Sequence, residues 1–401
     1  MIADEKELDS LLGLLEQHVD LEHGRHVDER YRRALAFDPV DQPPLLVQAA
    51  DYKVIRLPGP WRRFKHYSYR QTFDDPAAMM QNVLLDRVVP GILLRDDNPL
   101  AIRSDHGTIQ VASLLGASWE LSEHDYPWVN PCGPLERLRE VARSNGQPDP
   151  RRGVMQRSLD TLKFYRRKLA EYPRCRQAIQ LSLPDLQGPF DTAGQLWGSD
   201  ICLAFADEPE LLGMLLRRIA NVMVAAAAEF RTLAFDRLDP FAIAQHGYVI
   251  PGRLLIRNDS ATMLSQATYS EFVRPHDAQV LREVGGGSIH FCGKGPQLIK
   301  PMLEIPDLRG LDIGQPELMD VRSIYAMCRE RNVVATHLNP SRDDLLSGKA
   351  ARDFPTGCVF VYYTEDIQDA RAVVQAYRSN SASAPEHADQ PKRRRFAVDR
   401  H

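Results

Sequence analysis

The sequence predicts a TIM (β/α)8 barrel carrying an N-terminal helical extension and a loop-rich first half. Short apolar runs of strand length alternate with helical patterns of 10 to 18 residues, the rhythm of βαβ units and a parallel sheet. Six such runs are readable after residue 178, and the first half has room for two more, near Leu45 to Ala49 and within 85–115. Eight βα units in roughly 340 residues suit a barrel. A doubly wound open sheet is the other arrangement of such units, but no G-x-G-x-x-G follows any early strand.

The elements follow in order. Leu8, Leu11, Leu12 and Leu15 recur at helical spacing, and Tyr31, Ala34, Leu35 and Phe37 form a second run. Asp38 to Pro44, rich in proline, ends this helical segment (1–43), because proline removes a donor and biases its predecessor away from the α region. Residues 51–150 are Pro- and Arg-rich and read as long loops, with a basic, aromatic stretch from Trp61 to Arg70. A helix over about 152–171 leads to the apolar run Ala178 to Leu183, and the loop Asp185 to Ala193 opens another helix. Further strands are expected at Phe241 to Gln245, Ser288 to Cys292, Gly310 to Ile313, Val333 to His337 and Cys358 to Tyr363. Helices are expected at Tyr269 to Val284, Pro316 to Arg331 and Asp366 to Arg378. The barrel therefore spans 44–378. The remainder, 379–401, has almost no apolar residues and reads as a disordered tail, its Lys392 to Arg395 cluster a solvated charge run.

Composition excludes several classes. A formal net charge of −4 supplies no field for nucleic acid or anionic lipid. The polar, acidic start is no signal peptide, and no stretch reads as about 20 uninterrupted apolar residues crossing a membrane. Six scattered cysteines without tight spacing argue for thiols in a reducing cytoplasm.

In a barrel the active site lies at the C-terminal strand ends. His290 and Cys292 are two apart on one strand, so both can look into the mouth, and an imidazole with a thiolate can chelate zinc. A third ligand is needed. Cys358 suits by type but stands at the start of its strand; His337 is at a strand exit, and His246 is similarly placed. Asp259 suits an acid/base or substrate anchor as well as an ordinary turn residue. Asp312 can accept a donor from a ligand, and Tyr363 can cover a planar one or pack as core.

The stretch T-Y-S-E-F-V-R-P-H (Thr268 to His276), then G-G-G-S-I-H-F-C-G, resembles the uroporphyrinogen decarboxylase superfamily. L-Q-G-P-F-D-T-A-G-Q-L-W-G resembles its third strand and Gly-Pro-Phe loop, and E-R-Y-R-R-A-L-A-F-D-P-V-D-Q-P-P its usual opening. The likeness spans about 28–378 and implies a TIM barrel. One branch of the superfamily removes acetate carboxylates from a tetrapyrrole without a cofactor, using an R-Q-A-G-R-Y loop. Here V-Q-A-A-D-Y stands nearest, with no arginine at either hallmark place. The other branch uses zinc on His-x-Cys and a distant Cys to move methyl groups between a corrinoid protein and a thiol or related acceptor. His290 and Cys292 match that pattern.

The resemblance therefore implies a zinc-dependent methyltransferase partnered by a corrinoid protein, with His290, Cys292 and a distant Cys, matched by Cys358, as ligands; the strand-exit placement offers His337 as the third instead. Asp259, Asp312 and Tyr363 would contact the acceptor, His246 the substrate, and the loops of 51–130 would shape the mouth. The alternative is a decarboxylase of a polycarboxylate, drawing on Arg56, Arg62, Arg63 and Arg70; the third is a barrel that binds a ligand without catalysis.

Overall fold

The computed structural model describes residues 5–48, 57–123, 125–146, 148–245 and 247–380. Residues 381–401 of the expected tail, His246 and Arg56 lie outside these residues, while Ser379 ends the last helix. Helices Glu5–His18 and Leu21–Leu35 bury the predicted leucines and Tyr31, and the second is capped by Asp20, which accepts from the amides of Glu22 and His23. These helices share one apolar core whose members run on to Tyr377.

Among the described residues the strands are β1 (Leu45–Gln48), β2 (Ala101–Ile102), β3 (Trp119–Glu120), β4 (Trp128–Val129), β5 (Gln180–Leu181), β6 (Leu186–Gln187) and β7 (Ala242–Gln245). They continue with β8 (Tyr248–Pro251), β9 (Leu255–Arg257), β10 (Gly287–Phe291), β11 (Leu308–Ile313), β12 (Val334–Leu338) and β13 (Cys358–Tyr363). Seven of them form one parallel sheet in the order β1-β13-β12-β11-β10-β9-β6. A separate parallel pair joins β2 to β5, while β3/β4 and β7/β8 are antiparallel. The fold is thus mixed α/β around a parallel sheet, and its strands are buried on both faces as helix-covered parallel sheets require.

Two parts of the sheet depart from the expected pattern. Phe241 to Gln245 was expected to be a strand of the parallel sheet; Ala242–Gln245 is one arm of a hairpin with β8, Gly247 in its turn and Gly252 after the second arm, both at positive φ, and Gln245 keeps a parallel bridge to Leu183. The parallel position belongs to β9, three residues too short to show a period. The Gln245 amide couples the two: its oxygen accepts from the Leu255 amide and its nitrogen donates to the carbonyls of Pro184 and Leu255. The run Ala178 to Leu183 likewise shortens to β5, and β6 follows beyond Pro184.

Residues 51–150 hold more helix than their composition predicts. Asp75 caps a helix with Pro76 at its first position, and the helical run continues to Leu94 through a π-turn at Leu84–Val88. A second π-turn, Tyr269–Val273, precedes Pro275 in the same way as the first precedes Pro90. The wider turn absorbs a residue that lacks an N–H and crowds the preceding carbonyls. Helices Pro76–Leu94 and Pro209–Arg231 are long and apolar enough to span a bilayer, but most of each apolar window is buried against the rest of the protein.

Side chains finish the β1 edge. The Asp97 carboxylate accepts from the Leu45 amide, its own amide donates to the Leu45 carbonyl, and the Asp96 carboxylate accepts from the Val47 amide. Asp97 is fully buried and ion-paired to Arg30 of the N-terminal helices and Arg378 of the last helix. Burial opposes its ionisation, but the two guanidiniums outweigh that and hold its pKa below the usual carboxylate range. Asp97→Ala, which strands both arginines, is expected to cost about 3 kcal/mol or more in urea unfolding. Unchanged stability would show that this carboxylate does not tie the chain ends together.

Candidate metal centre

Parallel register builds the site. His290 on β10 lies opposite Asp312 on β11, and Asp312 opposite Thr336 on β12, so His290 and Asp312 share one face at one level. The His290 ring is almost fully buried, its Nδ1 3.0 Å from Asp312 Oδ2. An ionised carboxylate only accepts, so Nδ1 carries the proton and the lone pair of the neutral ring lies on Nε2. That atom is 3.2 Å from Cys292 Sγ and 3.5 Å from Asp259 Oδ1.

Burial lowers the basicity of His290, but the Asp312 charge more than offsets it and lifts the imidazolium to about 10. Asp312 is correspondingly held well below the carboxylate range by the two imidazoles beside it, despite its burial. Without a cation, His290 is therefore protonated at neutral pH and bonded between a carboxylate and a thiol.

The third member is Asp259, which opens the short helical turn after β9. Its position is set from three sides. Asp191, at the start of helix Pro189–Trp197, accepts from the amides of Asp259 and Ser260 at 2.8 Å each. Asp259 Oδ1 accepts from the Cys292 amide at 2.9 Å, and Oδ2 takes a bond from Arg257 at 3.1 Å. Behind it, Asn258 donates to Asp277, which also accepts from Tyr269 at 2.7 Å. Gly188 permits this approach, since a Cβ there would lie 2.1 Å from Asn258 Oδ1. Gly314 does the same on the other side, where a Cβ would lie 2.5 Å from Cys292 Sγ and 2.9 Å from His290 Cε1.

One ligand atom each from Asp259, His290 and Cys292 lies within 4.8 Å of the others. An oxygen, a nitrogen and a sulfur with a further position open is a donor set that suits catalytic zinc. The Asp312–His290 bond is the carboxylate–histidine support that orients metal-binding imidazoles. The residues therefore fit the metal, with Asp259 as the third candidate ligand.

The other expected ligands are placed differently. His337 is engaged at both nitrogens, Nδ1 to Asp312 Oδ1 at 3.2 Å and Nε2 to the Tyr363 hydroxyl at 2.6 Å. Cys358 pairs with Ala335, which pairs with Leu311, one residue out of phase with Asp312. Alternation turns its thiol to the opposite face, where it is buried and donates to the Phe354 carbonyl.

Arg70, expected to bind substrate, is exposed and donates to the Leu121 carbonyl. The arginines beside the cluster are Arg257 and Arg103. Arg103 lies 2.6 Å from Asp185 and 3.2 Å from Asp105, and Arg257 lies 3.4 Å from Asp185. Neither they nor Asp191 were singled out from the sequence. The D-T-A after Gly-Pro-Phe was the available signal for Asp191.

Two outcomes follow for purified protein. His290→Ala and Cys292→Ala should each remove bound zinc measured by elemental analysis, while Cys358→Ala and His337→Gln should retain it. Zinc affinity should rise with pH through the neutral range, because binding must displace the His290 proton and deprotonate the thiol; a pH-independent affinity would contradict this arrangement.

Asp277 provides a separate check on the support behind Asp259. Burial pushes its pKa up to about 7, against hydrogen bonds from Tyr269 and Asn258 that pull it down. The folded state then holds a proton that the unfolded chain has lost, so this group's contribution declines as pH rises from about 4 through 7. Asp277→Asn should flatten that decline by up to about 4 kcal/mol in urea titrations.

No family model matches this chain, and no curated protein sequence does.

Proposed function

We propose that the chain is a barrel enzyme that binds zinc at Asp259, His290 and Cys292 and transfers a methyl group between a corrinoid protein and a thiol or related acceptor. The observation that carries the reading is the convergence of those three donor atoms within 4.8 Å, with His290 oriented by Asp312. The resemblance around Thr268 to Gly293 supplies the reaction class.

Several features support the barrel. The segment that holds β5 and β6 pairs with β2 at one end and with β9 at the other. At the remaining seam, Asp96 and Asp97 bond to the backbone of β1. In this reading the seven parallel strands and β2 take the eight positions of a ring, with that seam between β1 and β2. Short strands leave gaps in its ladder.

In this reading zinc lowers the pKa of an acceptor thiol, so that thiolate is available at neutral pH. The protein's own contributions are distinct. Asp312 keeps Nδ1 of His290 protonated and Nε2 available. Arg257 offsets the Asp259 charge, and the Cys292 amide fixes one Asp259 oxygen. Six free cysteines suit a reducing cytoplasm.

A decarboxylase reading draws on Arg103 and Arg257, but each is already ion-paired to aspartate, which leaves less positive charge for a polycarboxylate. Zinc-loaded protein mixed with methylcobalamin and 2-mercaptoethanol should form the methyl thioether while the methylcobalamin spectrum is lost. His290→Ala should reduce that rate at least about hundredfold. Thioether at background level, or carbon dioxide released from uroporphyrinogen instead, would sink the methyltransferase reading.

A further inference from the structure

His337 sits where β12 loses register with β13, the pairing jumping from Ala335 to Leu338. Its φ is +64°, a left-handed conformation that costs a non-glycine residue roughly 1 kcal/mol or more. Alternation from Thr336 would send His337 to the helix-covered face; the bulge returns it to the side of Asp312. A bulge re-aims a side chain, and what this one achieves is specific. Asp312 receives a second imidazole on its other oxygen, and that imidazole meets the phenol of Tyr363.

The order of the protons follows from the partners. Asp312 can only accept, so His337 Nδ1 donates to it. Nε2 of the neutral ring must then accept, and Tyr363 donates its hydroxyl proton at 2.6 Å. The His337 ring itself is 4% exposed, whereas Tyr363 is 36% exposed and reaches solvent. Among the described residues, Tyr248 and Arg87 are further ionisable neighbours. Tyr248 lies against the His337 ring at 4.9 Å between centroids, its hydroxyl 3.4 Å from that of Tyr363, and Arg87 acts on Tyr248.

We propose that Tyr363, His337 and Asp312 form a proton relay beside the metal centre, with Tyr363 as the catalytic group that exchanges a proton with the bound substrate. Its application to a thiol acceptor rests on the methyltransferase reading. As the thiol is taken up, its S–H bond breaks and the proton passes to the Tyr363 oxygen. The phenol's own proton crosses to His337 Nε2 in the same movement. The imidazolium so formed faces the Asp312 carboxylate, and the proton later returns through Tyr363 to water. His337 and Asp312 are positioning residues in this step; neither touches substrate.

The test uses the full chain labelled with 15N-histidine, metal-free and zinc-loaded, with His337→Gln to assign the ring. The expected spectrum shows Nδ1 protonated and Nε2 bare, and Tyr363→Phe keeps that tautomer while moving the Nε2 resonance. A proton on Nε2 overturns the relay whether or not metal binds. Stopped-flow mixing with 2-mercaptoethanol and a pH indicator reads the transfer itself. Tyr363→Phe and His337→Gln should slow proton release at least about tenfold with zinc content unchanged. Wild-type rates in both variants overturn the relay, whereas zinc-loaded protein that releases no proton in any form overturns its assignment to a thiol and the methyltransferase reading with it, leaving the nitrogen shifts to judge the triad.

Discussion

Buried carboxylates that bond to backbone and to cations hold this structure together where its ladders are thin. Several strands are only two or three residues long, so the sheet cannot rely on continuous backbone pairing. Asp97 joins β1 to the N-terminal helices and the last helix. Asp191 fixes the turn after β9 by taking two consecutive amides. Asp312 holds two imidazoles from neighbouring strands. In each case one side chain does what a longer ladder would do elsewhere, and a buried acceptor without its donors would cost more than it contributes.

The candidate centre inherits its geometry from the same device. His290 and Asp312 come from adjacent strands in register, so their separation is a property of the sheet rather than of a loop. Asp259 comes from a loop, and it takes five neighbours to immobilise it: Asp191, Arg257, the Cys292 amide, and Asn258 with Asp277 behind. The two glycines at 188 and 314 are the complement of this packing, since neither position has space for a methyl group. Charge balance is local as well. Arg103 and Arg257 alternate with Asp105, Asp185 and Asp259, so the cluster carries its own counter-ions.

The sequence made the main strands β10 to β13 and the pair His290–Cys292 legible, because those strands are continuous apolar runs and the H-x-C spacing matches strand alternation. It left the third ligand open. Asp259 follows a strand of three residues that has no periodic signature, and its proximity to Cys292 is a long-range contact that no local pattern encodes. Cys358 entered the ligand set by residue type and His337 by its place at a strand exit. For Cys358 the phase of the sheet decides otherwise, since a shift of one residue reverses the face. For His337 the strand end is as expected, but a bulge and a second acceptor give both ring nitrogens other partners. The helix through 76–94 was hidden by its proline, which the π-turn accommodates.

The bulge at His337 also separates two inheritable parts. Deleting one residue from β12 would restore plain alternation and swing the imidazole into the helix layer, yet leave Asp259, His290 and Cys292, which lie outside β12, in place. A single in-frame codon loss would thus remove the proposed relay while sparing the candidate metal ligands. Under the proposed function, relatives that differ at this bulge keep the same ion and differ in the acidity of the substrates they accept.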